Sequence, residues 1–169
     1  MTKNNNSYKI VYKETVYLST ILEVMMKTKF DITEILYSIK NINDLYYNLS
    51  VKTAYECGIS KPEADILAFL NNNPSCDTAR DIVKLKGFSK AYVSKAVEPL
   101  ISKGFIKVEV DKDDRRCQHL KLTEKSKPIV IKLHEMQSKF VNKITEGIDK
   151  KDIEKYLDVI QHFSENALK

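Results

Sequence analysis

Residues 105–123 read FIKVEVDKDDRRCQHLKLT. Apolar residues alternate with polar ones on both sides of a charged tip, at positions 106, 108 and 110 before it and at 120 and 122 after it. Successive side chains of a strand point to opposite faces, so this period of two predicts a β-hairpin. Arginines at the tip of a hairpin that follows a helix-turn-helix pattern indicate a winged module that binds DNA.

Two short predicted helices precede the hairpin. Thr78 and Asp81 mark the start of the first, and Gly87 ends it. Ser89 is placed to cap the second, which we predict at residues 90–103. Two short helices joined by a tight glycine turn are typical of a helix-turn-helix.

Long amphipathic helices are predicted at both ends of the chain. The first covers residues 8–29, and Asp31 with Glu34 opens a second. A helix that starts at Ser60 leads into the central module, and Thr123 is expected to close the hairpin and cap a long helix. The residues expected to face inward on the last two helices are Ile129, Leu133, Met136, Phe140 and Ile144, then Ile153, Tyr156, Leu157, Ile160 and Phe163.

These elements predict a mainly α fold with a small β-hairpin wing, a winged helix-turn-helix flanked by long dimerisation helices. We expect one integrated domain, with dimerisation helices at residues 1–58 and 124–169 and the DNA-binding module at residues 59–123. The terminal apolar stripes exceed what a small winged module can cover, so we expect them to bury one another and a second subunit.

Composition excludes several classes of protein. With 43% hydrophobic and 30% charged residues among 169, the chain is typical of neither disordered nor membrane-spanning proteins, and we expect it to be soluble and cytoplasmic. Three cysteines at wide spacings and three scattered histidines predict no disulfide framework and no metal site. A glycine-rich phosphate loop and a nucleophile elbow are both missing from the sequence, so we expect neither an enzyme nor a cofactor.

Positive charge is concentrated on the predicted DNA-binding module. Residues 80–132 carry 14 Lys and Arg against 7 Asp and Glu, a net charge of +7, whereas the rest carries 14 against 16. A basic surface on a helix-turn-helix favours contact with phosphates. For any single lysine, a solvated surface position is the plainer interpretation.

The helix at residues 90–103 is the predicted recognition helix, although an ordinary core helix is the alternative. Its expected inward residues are Val93, Val97, Leu100 and Ile101, and its expected outward residues are Lys90, Ala91, Ser94, Lys95 and Glu98. Lysine donates to guanine acceptors, and serine can bind bases or phosphate. Tyr92 is expected either to pack on the DNA backbone or to shield the turn, and Ser89 completes the predicted contact set.

At the hairpin tip, Lys112, Arg115 and Arg116 are the predicted DNA contacts, because a guanidinium can enter a narrow minor groove. Two neighbouring carboxylates would repel DNA unless one is bound within the protein. We therefore expect Asp114 to bind a backbone or arginine group and brace the wing. The alternative is a solvated turn in which an aspartate merely pairs with an arginine.

Cys57 and Cys117 are candidate redox residues. Cys57 lies just before a predicted helix, and Cys117 follows two arginines whose charge could lower a thiol pKa. Buried or idle thiols are the alternative.

Over about residues 34–144 the sequence resembles the MarR family of winged helix-turn-helix regulators. The resemblance rests on ISKPEADIL at residues 59–67, the helix at Thr78, VSKAVEPLISKGFI at residues 93–106 and DRRCQHLKLT at residues 114–123. The last piece is the most specific, because D-x-R followed at a fixed distance by L-x-L-T is the family's wing.

The resemblance implies a bacterial homodimer that binds a palindromic DNA site. It further implies a repressor that a small effector releases, with Ser94 and Lys95 at base-reading positions and Arg116 as the wing-tip arginine. Two features depart from the family: Pro99, which should bend or loosen the recognition helix, and the additional helix at residues 8–29. A winged module that binds an acidic protein partner, and does not read DNA sequence, is the alternative function.

Overall fold

A computed structural model describes residues 31–169 of the chain. Contacts divide the chain into two compact units: one ends at Asn43, and the other is Asp44–Lys169. The predicted helix at residues 8–29 lies outside the described residues. In order, the elements are α1 (Ile32–Glu56), α2 (Lys61–Asn72), α3 (Ala79–Lys86), α4 (Lys90–Ser102), β1 (Ile106–Val110), β2 (Gln118–Leu122), a short 3-10 helix (Glu124–Ser126), α5 (Lys127–Ile144) and α6 (Lys150–Ala167). The mainly α fold with a two-stranded wing is confirmed.

The helices of the central module begin at the predicted caps. Ser60 and Glu63 form a reciprocal capping box at the start of α2, and Thr78 and Asp81 form another at the start of α3. The Ser89 hydroxyl accepts the Tyr92 backbone N–H, 3.1 Å away, at the start of α4. These bonds satisfy backbone donors that the first turn of a helix leaves without partners.

Gly87 allows the turn between α3 and α4 to be tight. It adopts the left-handed conformation, with φ of +67°, and its N–H donates to the Val83 carbonyl. A side chain at this φ would cost free energy, whereas glycine adopts it readily.

The wing is an antiparallel hairpin whose base is attached to the helix-turn-helix. Ile106 pairs with Leu122 at the base, and Val110 pairs with Gln118 near the tip. The other edge of β2 meets the segment before α3, where the Leu120 N–H donates to the Asp77 carbonyl at 2.8 Å. The hairpin is therefore hydrogen-bonded along both edges of β2.

One hydrophobic core, built from residues between Ala54 and Leu133, holds the central elements together. Helix α2 contacts α4, α5 and β2, and α4 also contacts α3 and β1. The buried residues that these elements share are Ile66, Leu67, Leu70, Ile82, Val93, Ala96, Leu100, Ile106, Leu120, Ile129 and Leu133.

The structure corrects two details of the predicted packing. Ile101, predicted to face inward on α4, is 40% exposed, and Ala96 is buried instead. Thr123 does not cap a helix with its side chain. Its hydroxyl donates to the Gly104 carbonyl at 2.8 Å, which joins the end of the hairpin to the loop that follows α4.

Pro99 does not end α4, the predicted recognition helix. Helix α4 continues through it to Ser102, and the Pro99 carbonyl accepts the Lys103 N–H at 2.8 Å. Pro99 thus removes one backbone donor while its carbonyl still takes part in the bonds that finish the helix.

The C-terminal helix leaves its apolar residues uncovered. Within the described chain, α6 has no buried residue, and its exposed large apolar side chains are Tyr156, Leu157, Val159, Ile160 and Phe163. Of the residues predicted to face inward on α5, Ile129, Leu133 and Met136 are buried. Among residues 31–169, no helix has the length and apolar character needed to cross a membrane.

We predict that Leu100→Ala lowers the free energy of unfolding by about 2–5 kcal/mol, because it opens a cavity in the core. Urea unfolding followed by circular dichroism, at one fixed protein concentration, measures the change. Leu85→Ala is the matched control, since Leu85 is 56% exposed, and it should alter stability by less than about 0.5 kcal/mol. Equal effects of the two variants would contradict the assigned core.

Candidate nucleic-acid interface

Helix α4 presents one polar face to solvent. Val93, Ala96 and Leu100 are buried against the module, whereas Ser94 and Lys95 are exposed. Ser89 and Lys90 are also exposed at the start of the helix. The face predicted to meet DNA is therefore accessible along the first two turns of α4.

Tyr92 is engaged within the protein. Its hydroxyl donates to Asp65 Oδ2 at 2.8 Å, and its ring lies against Phe88, with centroids 4.6 Å apart. Burial and the Asp65 carboxylate raise the pKa of Tyr92 well above its usual value. Asp65 is also bound by Lys61 at 2.6 Å. Tyr92 thus links the recognition helix to α2, and its predicted contact with the DNA backbone stays a prediction.

An ion pair between a buried glutamate and a partly exposed lysine joins the end of α4 to the start of α2. Lys103 Nζ lies 2.6 Å from Glu63 Oε1, and the Glu63 side chain is 4% exposed. Burial by itself would raise the pKa of Glu63, but hydrogen bonds from Lys103 and Ser60 outweigh it and leave the pKa below its usual value. These contacts fix the recognition helix at both ends, through Tyr92 and through Lys103.

Carboxylates organise the wing turn. Asp111 Oδ1 accepts the backbone N–H groups of Asp113 and Asp114, each at 2.8 Å. Asp114 in turn accepts the backbone N–H of Arg116 at 3.0 Å and its guanidinium Nε at 3.1 Å. The hydrogen bonds from Arg116 are the main cause that holds the pKa of Asp114 below its usual value.

The tip therefore keeps its cations outward, while Asp111 and Asp114 are bound within the turn and Asp113 is exposed. Lys112, Arg115 and Arg116 are exposed, and the Arg116 side chain is 92% exposed. The contact of Asp114 with Arg116 is the geometry expected of a brace. Whether it supports DNA contact stays a prediction.

A polar cluster that the sequence did not indicate lies between the start of α3 and the turn of the wing. His119 Nδ1 is 2.6 Å from Asp77 Oδ1, and His119 Nε2 is 3.2 Å from Asp111 Oδ2. Lys121 Nζ binds the second oxygen of Asp77. Asp77 lies 42 residues before His119, so no local sequence pattern could have paired them.

Opposing effects act on the pKa of Asp77. Burial raises it, but the hydrogen bonds from His119 and Lys121 prevail, and the pKa lies below its usual value. Asp77 is thus an anion that holds two side chains of β2, His119 and Lys121, next to the start of α3.

The three cysteines are free thiols and half-buried. Burial is the largest influence on Cys57 and raises its pKa, which favours the unreactive thiol form. Cys117 Sγ lies 4.0 Å from His119 Nε2. Within residues 31–169, no group of three or more His, Cys, Asp and Glu side chains is arranged to hold a metal ion. The redox role predicted for Cys57 and Cys117 stays a prediction.

Comparison with known proteins matches this module to one family. The model of the MarR family matches residues 58–116. A MarR transcriptional regulator from Methanosarcina mazei Go1 superposes with a TM-score of 0.66 at 19% identity, over 80% of this chain and 97% of that one.

Two further solved structures share the fold. A putative MarR family regulator from Listeria monocytogenes, complexed with 26mer DNA, has a TM-score of 0.70 at 19% identity, over 81% of this chain and 89% of that one. CouR from Rhodococcus jostii RHA1, bound to p-coumaroyl-CoA, has a TM-score of 0.65 at 16% identity, over 76% of this chain and 90% of that one.

We predict that Tyr92→Phe lowers the free energy of unfolding by about 1 kcal/mol, because Asp65 loses a hydrogen-bond donor. Urea unfolding is the measurement. Tyr55→Phe is the control, since Tyr55 is 85% exposed, and it should leave stability unchanged. An unchanged stability of Tyr92→Phe would show that its hydroxyl has no structural role.

Proposed function

We propose that the chain, whose residues 58–116 match the model of the MarR family, is a member of that family of transcriptional regulators, and that it is a homodimeric, sequence-specific DNA-binding regulator that acts in the cytoplasm. We further propose that it is a repressor that binds a palindromic operator and is released by a small effector. Family membership supports a role in regulation rather than catalysis.

The observation that carries this proposal is the combination of an exposed polar face on α4 with an outward cationic tip on the wing. An α-helix fits the DNA major groove, and the N-terminal part of a recognition helix faces the base edges. Lys95 would donate to guanine acceptors, and Ser94 would bind a base or a phosphate. Lys90 and Ser89, at the first turn, would bind phosphates.

The wing would lie against the neighbouring groove. Arg116 is proposed to enter the minor groove, where the narrow walls concentrate negative potential. Lys112 and Arg115 would neutralise phosphates beside it. The Asp114 carboxylate stays charged, and its ion pair with Arg116 would offset part of the repulsion that it exerts on the phosphates.

The uncovered apolar side chains of α6 support the dimer. Large apolar side chains that stay exposed in a single chain are typical of an interface. A twofold dimer would place two identical modules on successive turns of the duplex, about 34 Å apart, which a palindromic site requires. Release by a small effector is supported by the relatives, among which CouR binds p-coumaroyl-CoA.

We predict salt-dependent, sequence-specific DNA binding. Fluorescence anisotropy with labelled duplexes tiled across the region upstream of the coding sequence should find one duplex that binds tightly in the presence of random-sequence competitor. Arg116→Ala and Lys95→Ala should each weaken this binding by about 1–3 kcal/mol. Lys139→Ala, a charge-matched control on α5, should change the affinity little.

Equal binding to every duplex would contradict a sequence-specific regulator. A monomer that binds no DNA at any salt concentration would instead favour the alternative, a winged module that docks an acidic protein. Sedimentation of the same samples distinguishes these outcomes.

We predict that the protein sediments at twice its chain mass of 19.5 kDa. Phe163→Asp should shift it towards the monomer, because a carboxylate would be buried without a partner at the proposed interface. Leu85→Asp is the matched control: Leu85 is as exposed as Phe163, at 56% against 55%, but lies on α3. A wild-type monomer at micromolar concentration would contradict the dimer.

A further inference from the structure

His119 lies between two carboxylates that belong to different parts of the module. On one side is Asp77, 2.6 Å from Nδ1, which directly precedes the N-cap of α3. On the other is Asp111, 3.2 Å from Nε2, whose second oxygen holds the backbone of the wing turn. The imidazole therefore connects the start of α3 with the turn that carries the wing-tip cations.

Only a protonated imidazole can make both contacts as hydrogen bonds. A neutral ring has one N–H and one lone pair, whereas an imidazolium has two N–H donors. Ionised Asp77 and Asp111 both act as acceptors. A neutral His119 would therefore have to turn a lone pair towards one of the two carboxylates.

The contact with Asp111 is the one that the neutral ring would lose. The bond to Asp77 is shorter, and the Asp77 side chain is 11% exposed against 34% for Asp111. Asp77 is also fixed by Lys121 and by its carbonyl bond to Leu120. The remaining proton would stay on Nδ1, and the wing turn would be released.

Other charges around His119 do not reverse this preference. Glu109 faces it across the hairpin and pairs with Lys107, with 2.7 Å between Nζ and Oε1. Cys117, just before β2, places its Sγ 4.0 Å from His119 Nε2, and Lys121 is directed to Asp77. The hydrogen bonds with Asp77 and Asp111 are the main causes that raise the pKa of His119 above its usual value.

We propose that His119 is a positioning residue whose protonation ties the wing turn to the start of α3, which makes DNA binding pH-dependent. This inference rests on the proposed function, because it assigns a control of the same DNA contact. The wing would be held in place at low pH and freed as the pH rises.

The direction follows from the pKa. A group whose pKa is raised in the folded wing stabilises the wing fully at a pH below the pKa that the group has in the unfolded chain, which is roughly 6.5 for histidine. The stabilisation is lost as the pH rises through the raised pKa. The contact is partly exposed, so we expect the DNA affinity to fall about two- to five-fold between pH 5.5 and 8.5.

Two measurements on the full-length protein, in buffer with EDTA, test the proposal. Backbone ¹⁵N relaxation of the tip amides at residues 112–116, recorded between pH 5.5 and 8.5 without DNA, reports the order of the wing. Anisotropy titration with a duplex that the protein has selected from a random-sequence pool reports affinity at the same pH values.

Three variants distinguish a proton-dependent contact from a merely structural one. His119→Gln should remove the pH dependence of both readouts. In Asp111→Asn, the amide oxygen still accepts the backbone N–H groups of the turn, while its NH₂ donates to a neutral imidazole. In that variant, the backbone of residues 112–116 should therefore be more ordered at high pH than at low pH, the reverse of the wild type. His134→Gln, at an exposed histidine on α5, should behave as the wild type.

If the backbone order of residues 112–116 stays constant with pH in the wild type, the proposal is overturned. The same pH slope in His119→Gln as in the wild type would also overturn it. A third outcome is that the backbone order of residues 112–116 changes with pH as expected but the protein binds no duplex at any pH. That result would support the contact between His119 and the wing and refute the DNA-binding function. The two proposals can thus fail separately.

Discussion

A two-stranded hairpin is marginally stable at best in water, so the position of this wing depends on what holds its base. Ile106 and Leu120 anchor it in the core, and the Asp77 carbonyl binds the free edge of β2. The Thr123 hydroxyl ties its end to Gly104. Because the same core buries one face of α4, the wing and the recognition helix are fixed to one body, and both can contact one stretch of DNA.

Electrostatics divides this module into an inner and an outer set of charges. Several acids near the proposed DNA-binding surface are bound within the protein: Asp65 by Tyr92 and Lys61, Glu63 by Lys103, and Asp77 by His119 and Lys121. Glu98 and Asp113 are exposed beside the exposed cations of α4 and the wing tip. Binding some of the acids within the protein makes this surface more favourable to phosphate contact than its composition alone suggests.

Local sequence patterns predicted the elements well, because their causes are local. The capping boxes at Ser60 and Thr78, the turn at Gly87 and the alternation of the hairpin all act over a few residues. The contacts that position the interface act over longer separations. Tyr92 reaches Asp65 across 27 residues, and His119 reaches Asp77 across 42. On α4, Ala96 is buried and Ile101 is 40% exposed, a distinction that the periodicity of apolar residues alone could not make.

The central claim is that α4 and the wing contact one DNA duplex together. A crystal structure of the protein with a duplex selected from a random pool tests it most directly. The account predicts α4 in the major groove, with Ser94 and Lys95 at base edges, and Arg116 in the adjacent minor groove. A duplex held on another face of the protein, with Ser94 and Lys95 in solvent, would contradict it.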